Sequence, residues 1–494
     1  MSPATHRTLP EGQAAVGTDQ IFPAICHIPD KPVTPAGKQI VLLIAVLSGF
    51  ITPFDGSAVT IALSSMGAEF HMDAIALSWI VTAYVLAAAL VLVPIGKVAD
   101  IYGRKRIFLY GIAAFAAASF AMTLVPTAPL LIAVRFLQGC AGAMIFGTSL
   151  AILTTVFPPG ERGRAIGIYI TAVYFGLTIG PFLGGALTQY FGWRSIFLVN
   201  VPLGIVCCLL IIGKLEGEWA ECEGERFDLT GSLIYAAALV AVICGFSIMP
   251  DPAGIYLIVA GCLIGVVFFL YEARVPVPVL DIRLFTKNRE FASLNLAAFF
   301  NYSAVYAVMF LMSLDLQYTK GFSPAQAGLI LLTQPAAMAV VSLGAGWLSD
   351  RIDPRTVAAA GMGVTGLGIF LLALVNETST IPYIAASLVA VGIGLGLFTS
   401  PNAKATMGAV EKRYYGVASG LTNAVRMVSQ MISMGIVMMV FSLVIGRVEI
   451  TPAVYPQFVL SLHVAFVLFA ILCVIGIAVS LVKGKEEPAQ DGMD

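Results

Sequence analysis

Asp55 is the residue whose type and surroundings most demand a chemical explanation. It follows Ile51, Thr52, Pro53 and Phe54, well inside an apolar run that begins near Ile40. An acidic residue at the centre of a membrane helix costs about 2.5–3.5 kcal/mol on insertion scales, and that cost falls when the carboxylate takes up a proton. Asp55 therefore reads either as a proton-binding group or as a structural carboxylate permanently paired with an arginine. Arg135, inside another apolar run, is the candidate partner. If the two runs are helices of opposite direction, Arg135 and Asp55 lie about 9 and 13 Å below the same surface at 1.5 Å per residue. An arginine keeps its charge, so the pair is a proton switch or a fixed ion pair. Arg426 sits near the middle of a third run, with Asn423 and Gln430 at helical spacing. That polar face lines a water-filled cavity or a hydrogen-bonded interface. Gln138, one turn from Arg135, joins Asn423, Arg426 and Gln430 as a candidate for contact with a substrate. Asp315 falls at the end of its run and is read as surface-exposed.

Other residue patterns carry mechanics and no bond-making. Gly176, Gly180 and Gly184 recur every fourth residue beside Pro181 and Gly185. Such a stripe lets helices approach closely and a proline bends the helix there; the reading is a slidable contact between two halves of the protein, with ordinary helix packing as the alternative. Gly96, Asp100, Gly103 and Arg104 lie in a polar connector. No G-x-x-x-x-G-K-[ST], H-E-x-x-H or G-x-S-x-G segment occurs, so no catalytic residue, nucleotide site, cofactor or metal is expected. His6, His27 and His71 lie in tails or loops, and His463 alone in an apolar run reads as a core histidine. The eight cysteines form no C-x-x-C pair; Cys140, Cys207, Cys208, Cys244, Cys262 and Cys473 read as small apolar filler, with Cys26 and Cys222 in polar segments.

The elements that must hold these residues follow from composition. Of 494 residues, 59% are hydrophobic and 11% charged, with a mean hydropathy of +0.93. A soluble domain carries about 25% charged residues, so lipid is the solvent for most of the chain. Soluble enzymes and disordered chains are excluded, and a net charge of −1 offers no field for nucleic acid. Runs of about 20 apolar residues, the length of a spanning helix, occur at 40–64, 75–97, 106–125, 129–152, 163–187, 195–213, 228–248, 254–272, 292–316, 324–348, 356–375, 381–403, 416–442 and 458–482. The seventh and eighth could alternatively form a single buried hairpin. No cleaved signal peptide is read, since the first run is too long for one.

Lysine and arginine set the orientation. With the N-terminus in the cytoplasm, inner segments hold 22 of the 27 Lys and Arg, and outer ones only Arg194, Lys320 and Arg447. An even number of spans returns the C-terminus to the same side. The chain also repeats itself. Gly96 to Arg104 is echoed by Gly346 to Arg355, and Glu161-Arg162 by Glu411-Lys412-Arg413, both at an offset of 250. Two six-helix halves in parallel repeat fit this, a transporter architecture, with two helices inserted between them.

These motifs resemble those of the major facilitator superfamily, and in particular its fourteen-helix drug:proton antiporters. The resemblance covers nearly the whole chain. Gly96-Lys-Val-Ala-Asp100-Ile-Tyr-Gly103-Arg104 is similar to the connector after helix 2. Phe54-Asp55-Gly-Ser-Ala-Val-Thr60 is similar to the helix 1 pattern, Arg135-Phe-Leu-Gln138-Gly139 to that of helix 4, and Gly176 to Gly185 to the helix 5 motif of antiporters. Trp193-Arg194-x-x-Phe197-x-x-Asn200-x-Pro202 opens helix 6. Thr60, Ser64 and Asp315 depart from the pattern, which suggests Asn, Pro and an aromatic residue there.

The resemblance implies an all-α polytopic membrane protein with the major facilitator fold and 14 transmembrane helices. The expected parts are an N-terminal tail (1–39), a first half (40–213), two inserted helices with linkers (214–291), a second half (292–482) and a C-terminal tail (483–494). The implied function is proton-coupled export of amphipathic or lipophilic compounds across the plasma membrane by a monomer, with both termini cytoplasmic. The partners are lipid, protons and a small-molecule substrate, and no nucleic acid. Asp55 and Arg135 would couple the proton; Gly96, Asp100, Gly103, Arg104, Gly176, Gly180, Pro181, Gly184 and Gly185 would govern conformational exchange. An importer or facilitator of a polar metabolite is the alternative, and a non-transporting membrane receptor or enzyme a more distant one.

Overall fold

The structure, a computed structural model, describes residues 35–215, 217–219, 225, 227–411 and 414–481. Most of the two tails, Cys26, Cys222, His6, His27, Arg226, Lys412 and Arg413 lie outside the described residues. Among those described, fourteen helices are long and apolar enough to cross a membrane. They are α1 (Pro35–Phe70), α2 (Ala74–Tyr102), α3 (Arg104–Met122), α4 (Ala128–Val156), α5 (Pro159–Phe191), α6 (Arg194–Lys214), α7 (Leu229–Ile248) and α8 (Pro252–Glu272). Then follow α9 (Arg289–Leu314), α10 (Pro324–Leu348), α11 (Pro354–Leu372), α12 (Ile381–Gly408), α13 (Tyr415–Val444) and α14 (Tyr455–Ser480). In lipid each backbone polar group must be satisfied within its own segment, which is why apolar runs of this length become helices. Their ends carry side-chain caps: Asp73 accepts a hydrogen bond from the Ala76 amide at 2.7 Å and Asp228 from that of Gly231 at 2.9 Å.

We call the face bearing the α2–α3 connection the lower face and its opposite the upper face. The first six and the last six helices meet at the upper face. There Ser313 donates to the Thr60 carbonyl at 2.8 Å, Gln317 donates to that of Ile61 at 3.0 Å, and Ser64 donates to Gln317 at 2.5 Å. The Ala325 amide donates to Gln189 at 3.2 Å, and Asp73 and Glu449 form an antiparallel bridge between the α1–α2 and α13–α14 connections. The hydrophobic core has the same asymmetry. One cluster at the upper end runs through both sets, from Phe54, Leu63, Met66 and Leu131 to Leu311, Met434, Phe441 and Phe458. Below it the core breaks up, with Val41, Phe108, Ile152 and Ile211 in one cluster and Ala297, Met362 and Phe398 in another, and a small cluster of Val93, Tyr235, Phe268 and Ala424 joining α2 to α13 along the flank. A bundle whose core is continuous above and split below has a cleft between its halves.

The stripe on α5 packs differently from its expected role. A Cβ on Gly176 would stand 2.5 Å from the Phe50 carbonyl, and one on Gly184 2.6 Å from the Cα of Ala58. Gly180 is equally tight against Ser57. All three therefore press α5 onto α1 within the same half, and the expected contact between halves is made instead by neighbours on the adjoining face. Gly185 abuts the Pro324 backbone, and Gly328 of α10 abuts the Pro181 carbonyl. The reason is angular: at 3.6 residues per turn, Gly184 and Gly185 point about 100° apart.

Helices α7 and α8 form a spanning pair on the flank and not a buried hairpin. Phe246 packs on Gly435 of α13, and the Tyr235 hydroxyl donates to the Ala89 carbonyl of α2 at 3.1 Å. Leu263, Val266, Val267 and Leu270 of α8 are exposed, as suits a helix bathed in lipid.

Candidate functional site

Asp55 and Arg135 meet. Arg135 Nη1 donates to Asp55 Oδ2 at 2.7 Å, with Asp55 0% and Arg135 1% exposed. The expectation from depth along α1 and α4 thus becomes a direct contact. The other carboxylate oxygen, Oδ1, accepts from Gln138 Nε2 at 3.1 Å and from Asn200 Nδ2 at 2.8 Å. Gln138 also accepts from Arg135 at 2.7 Å and donates to Ser119 at 3.0 Å. The Arg135 guanidinium lies over the Tyr84 ring at 4.6 Å. Five helices, α1, α2, α3, α4 and α6, thereby converge on one carboxylate. Gln138 belongs to this buried cluster rather than to the cleft. Asn200, Ser119 and Tyr84 were given no role from sequence; Asn200 stood in the quoted helix 6 motif, and its spacing was the available signal.

Three donors on one carboxylate satisfy its charged form, and charge-assisted bonds of this kind are the strong ones. The Asn200 Oδ1 beside it is buried and has no partner.

A second polar group lies on α13, facing α9. On α13 the upper residues Met431, Met434, Val437 and Met438 are fully buried, whereas Asn423, Arg426 and Gln430 are half-buried. Arg426 lies 5.4 Å from the centre of the Tyr302 ring on α9. The structure therefore keeps Asn423, Arg426 and Gln430 on one face, apart from the Asp55 cluster.

At the lower face Arg104 holds Asp100 at 2.8 Å and donates to Thr155 at the end of α4 at 2.7 Å. Gly103 has a φ of 108°, and the Glu218 carboxyl fills the space where its Cβ would be, so glycine is required on both counts. The Lys105 amide donates to that same Glu218 at 2.8 Å. Gly96 has open space around it. The echo in the second half is chemical as well as sequential: Lys404, near the end of α12, pairs with Asp350.

Asp315 is a correction. It is 2% exposed and buried, not at the surface. The helix continues through a π-helical turn, Asp315–Thr319, and from Phe310 to Leu316 it is buried on every side, so the carboxylate is enclosed by neighbouring helices. Oδ1 accepts from Thr319 at 2.5 Å, and Oδ2 has no partner. His463 is satisfied by the Val375 carbonyl at 2.6 Å, as a packed histidine should be. The cysteines among the described residues are all unpaired.

Fourteen spanning helices around a split core, with charges buried at their centre, define a polytopic transporter. The sequence profile of the Major Facilitator Superfamily matches residues 45–286 and 294–492, and the chain belongs to that family. It is 30% identical over 392 residues to the riboflavin transporter RibZ of Clostridioides difficile, covering 79% of this chain and 86% of that one. It is 32% identical over 408 residues to the multidrug resistance protein Stp of Mycobacterium tuberculosis, covering 81% and 75%. Among solved structures, a bacterial homologue of the human lysosomal transporter Spinster, inward-facing and unoccupied, superposes with a TM-score of 0.68 at 18% identity over 90% of this chain and 97% of that one. The family is one of transporters and not of enzymes, and its members work in lipid on small-molecule substrates.

Proposed function

We propose that this chain is a proton-coupled exporter of amphipathic or lipophilic compounds, acting as a monomer in the plasma membrane with both termini in the cytoplasm. The single observation that carries the proposal is Asp55: a carboxylate fully buried inside a membrane helix, held by Arg135, Gln138 and Asn200. A permanently charged group there is expensive, so a proton arriving on Asp55 changes the energy of the cluster substantially. Protonation removes the charge that Arg135 compensates, and release of the proton restores it. Coupling follows when one orientation of the bundle favours each state.

The excess of Lys and Arg on the lower face supports placing that face in the cytoplasm. The structure would then be open inward and closed outward. Gly96, Asp100, Gly103 and Arg104 would hold the lower connector, and Gly176, Gly180, Pro181, Gly184 and Gly185 would hold α5 between α1 and α10. Residues 40–213 and 292–482 would move as the two halves, with 214–291 as their linker. The relation to a multidrug resistance protein supports export. The relation to a riboflavin transporter favours a second reading, movement of a polar metabolite on the same fold.

The test uses loaded, energised vesicles. Efflux is expected to collapse when a protonophore is added. Efflux that persists without a gradient and depends on added ATP contradicts the proposal.

A further inference from the structure

We infer that the cleft between α5, α9 and α13 is a recognition site for planar aromatic acids, with Arg426 as the group that selects the negative charge. The inference deepens the export reading by naming a substrate class, and it rests on that reading for its direction of transport. Two arginines, Arg135 and Arg426, lie deep within spanning helices, more than one turn from either end, and they differ in their counter-charge. Arg135 is neutralised by Asp55 at 2.7 Å. Arg426 forms no ion pair among the described residues, and its Nε is buried without a hydrogen-bond partner. An uncompensated guanidinium in a membrane protein is costly and marks a site for an anion or a polar pathway.

The surroundings decide what kind of anion. Arg426 lies against the Tyr302 ring at 5.4 Å, and Tyr306, one turn along α9 from Tyr302, is half-buried like it, as is Tyr174 of α5. Tyrosines offer flat faces for stacking and hydroxyls at their edges. A guanidinium offers a planar fork that suits a carboxylate or an enolate, and it repels cations. Asn423 and Gln430, one turn to either side on the same face of α13, add amides for further oxygen substituents.

The experiment is equilibrium binding to purified full-length protein in detergent, read by fluorescence polarisation. The probes are carboxyfluorescein, a planar aromatic anion, and ethidium, a planar aromatic cation. The wild type is expected to bind carboxyfluorescein saturably. Arg426→Gln is expected to weaken that binding at least tenfold while leaving ethidium within about twofold of wild type. Arg426→Lys keeps the charge without the fork and is expected to fall between the two, which separates lost recognition from a collapsed cleft. The inference is overturned if the wild type does not bind carboxyfluorescein. It is also overturned if Arg426→Gln binds it unchanged, or if both variants lose both dyes equally. Binding needs no gradient, so protein that binds the anion yet shows no protonophore-sensitive efflux fails the export reading and keeps this one.

Discussion

At the scale of residues, the Asp55 cluster trades a desolvation cost for a set of directed bonds. Three donors reach its carboxylate from α4 and α6, so neither partner of the central ion pair can be removed alone without leaving a buried charge. Arg135→Leu is expected to lower the unfolding free energy by about 3–5 kcal/mol, the usual cost of breaking a buried pair. Asp55→Asn also destabilises, and the double variant is expected to recover much of the loss. Denaturation in mixed micelles checks this, and strictly additive losses would mean the two residues do not act as a pair. The pair itself was legible in the sequence, because two charges in apolar runs at matching depth leave few alternatives. The roles of Gln138 and Asn200 were not, because amides do not announce themselves in apolar runs and their partner lies 83 and 145 positions away. Asp315 was misread because the end of α9, from Phe310 to Leu316, is enclosed on all sides by other helices, a tertiary fact that no periodicity in the sequence signals.

At the scale of elements, hydropathy located every span, because a helix is apolar whether it faces lipid, as α8 does, or other helices, as α2 does. It did not locate the ends. α1 runs from Pro35 to Phe70 and α5 from Pro159 to Phe191, several residues beyond their apolar runs, since a helix continues past the hydrocarbon when nothing breaks it. The glycine stripe was legible as a close approach but not as to which helix approaches. Gly328 is the residue that lets α10 lie on α5 at the upper face, where a Cβ would meet the Pro181 carbonyl. Gly328→Ala is therefore expected to disfavour upper closure. Asp73 and Glu449 face each other in an antiparallel bridge, a spacing at which two cysteines can join. In an Asp73→Cys, Glu449→Cys background, Gly328→Ala should slow disulfide formation several-fold, whereas Gly167→Ala, which meets open space, should not. Equal rates would show that this contact does not control closure.

At the scale of the whole molecule, the repeat at an offset of 250 explains why the same device appears twice at the lower face. Arg104, paired with Asp100, reaches Thr155 of α4, and Asp350 reaches Lys404 of α12, so each connector is tied to the helix that returns to it. On the proposed function, the core shared at the upper end would be the seam about which the two halves rock. Transport by such a bundle requires that substrate and proton bias the same equilibrium, so that binding one alters the hold on the other. That linkage is the central claim, and it is measured directly by proton release when a transported compound is added to detergent-solubilised protein in weakly buffered solution. The wild type is expected to release protons on substrate binding, and Asp55→Asn, which keeps the side-chain size but cannot ionise, is expected to release none while still binding. Equal release from the two proteins would contradict the claim, leaving Asp55 as a structural carboxylate and moving the coupling to another buried acid such as Asp315.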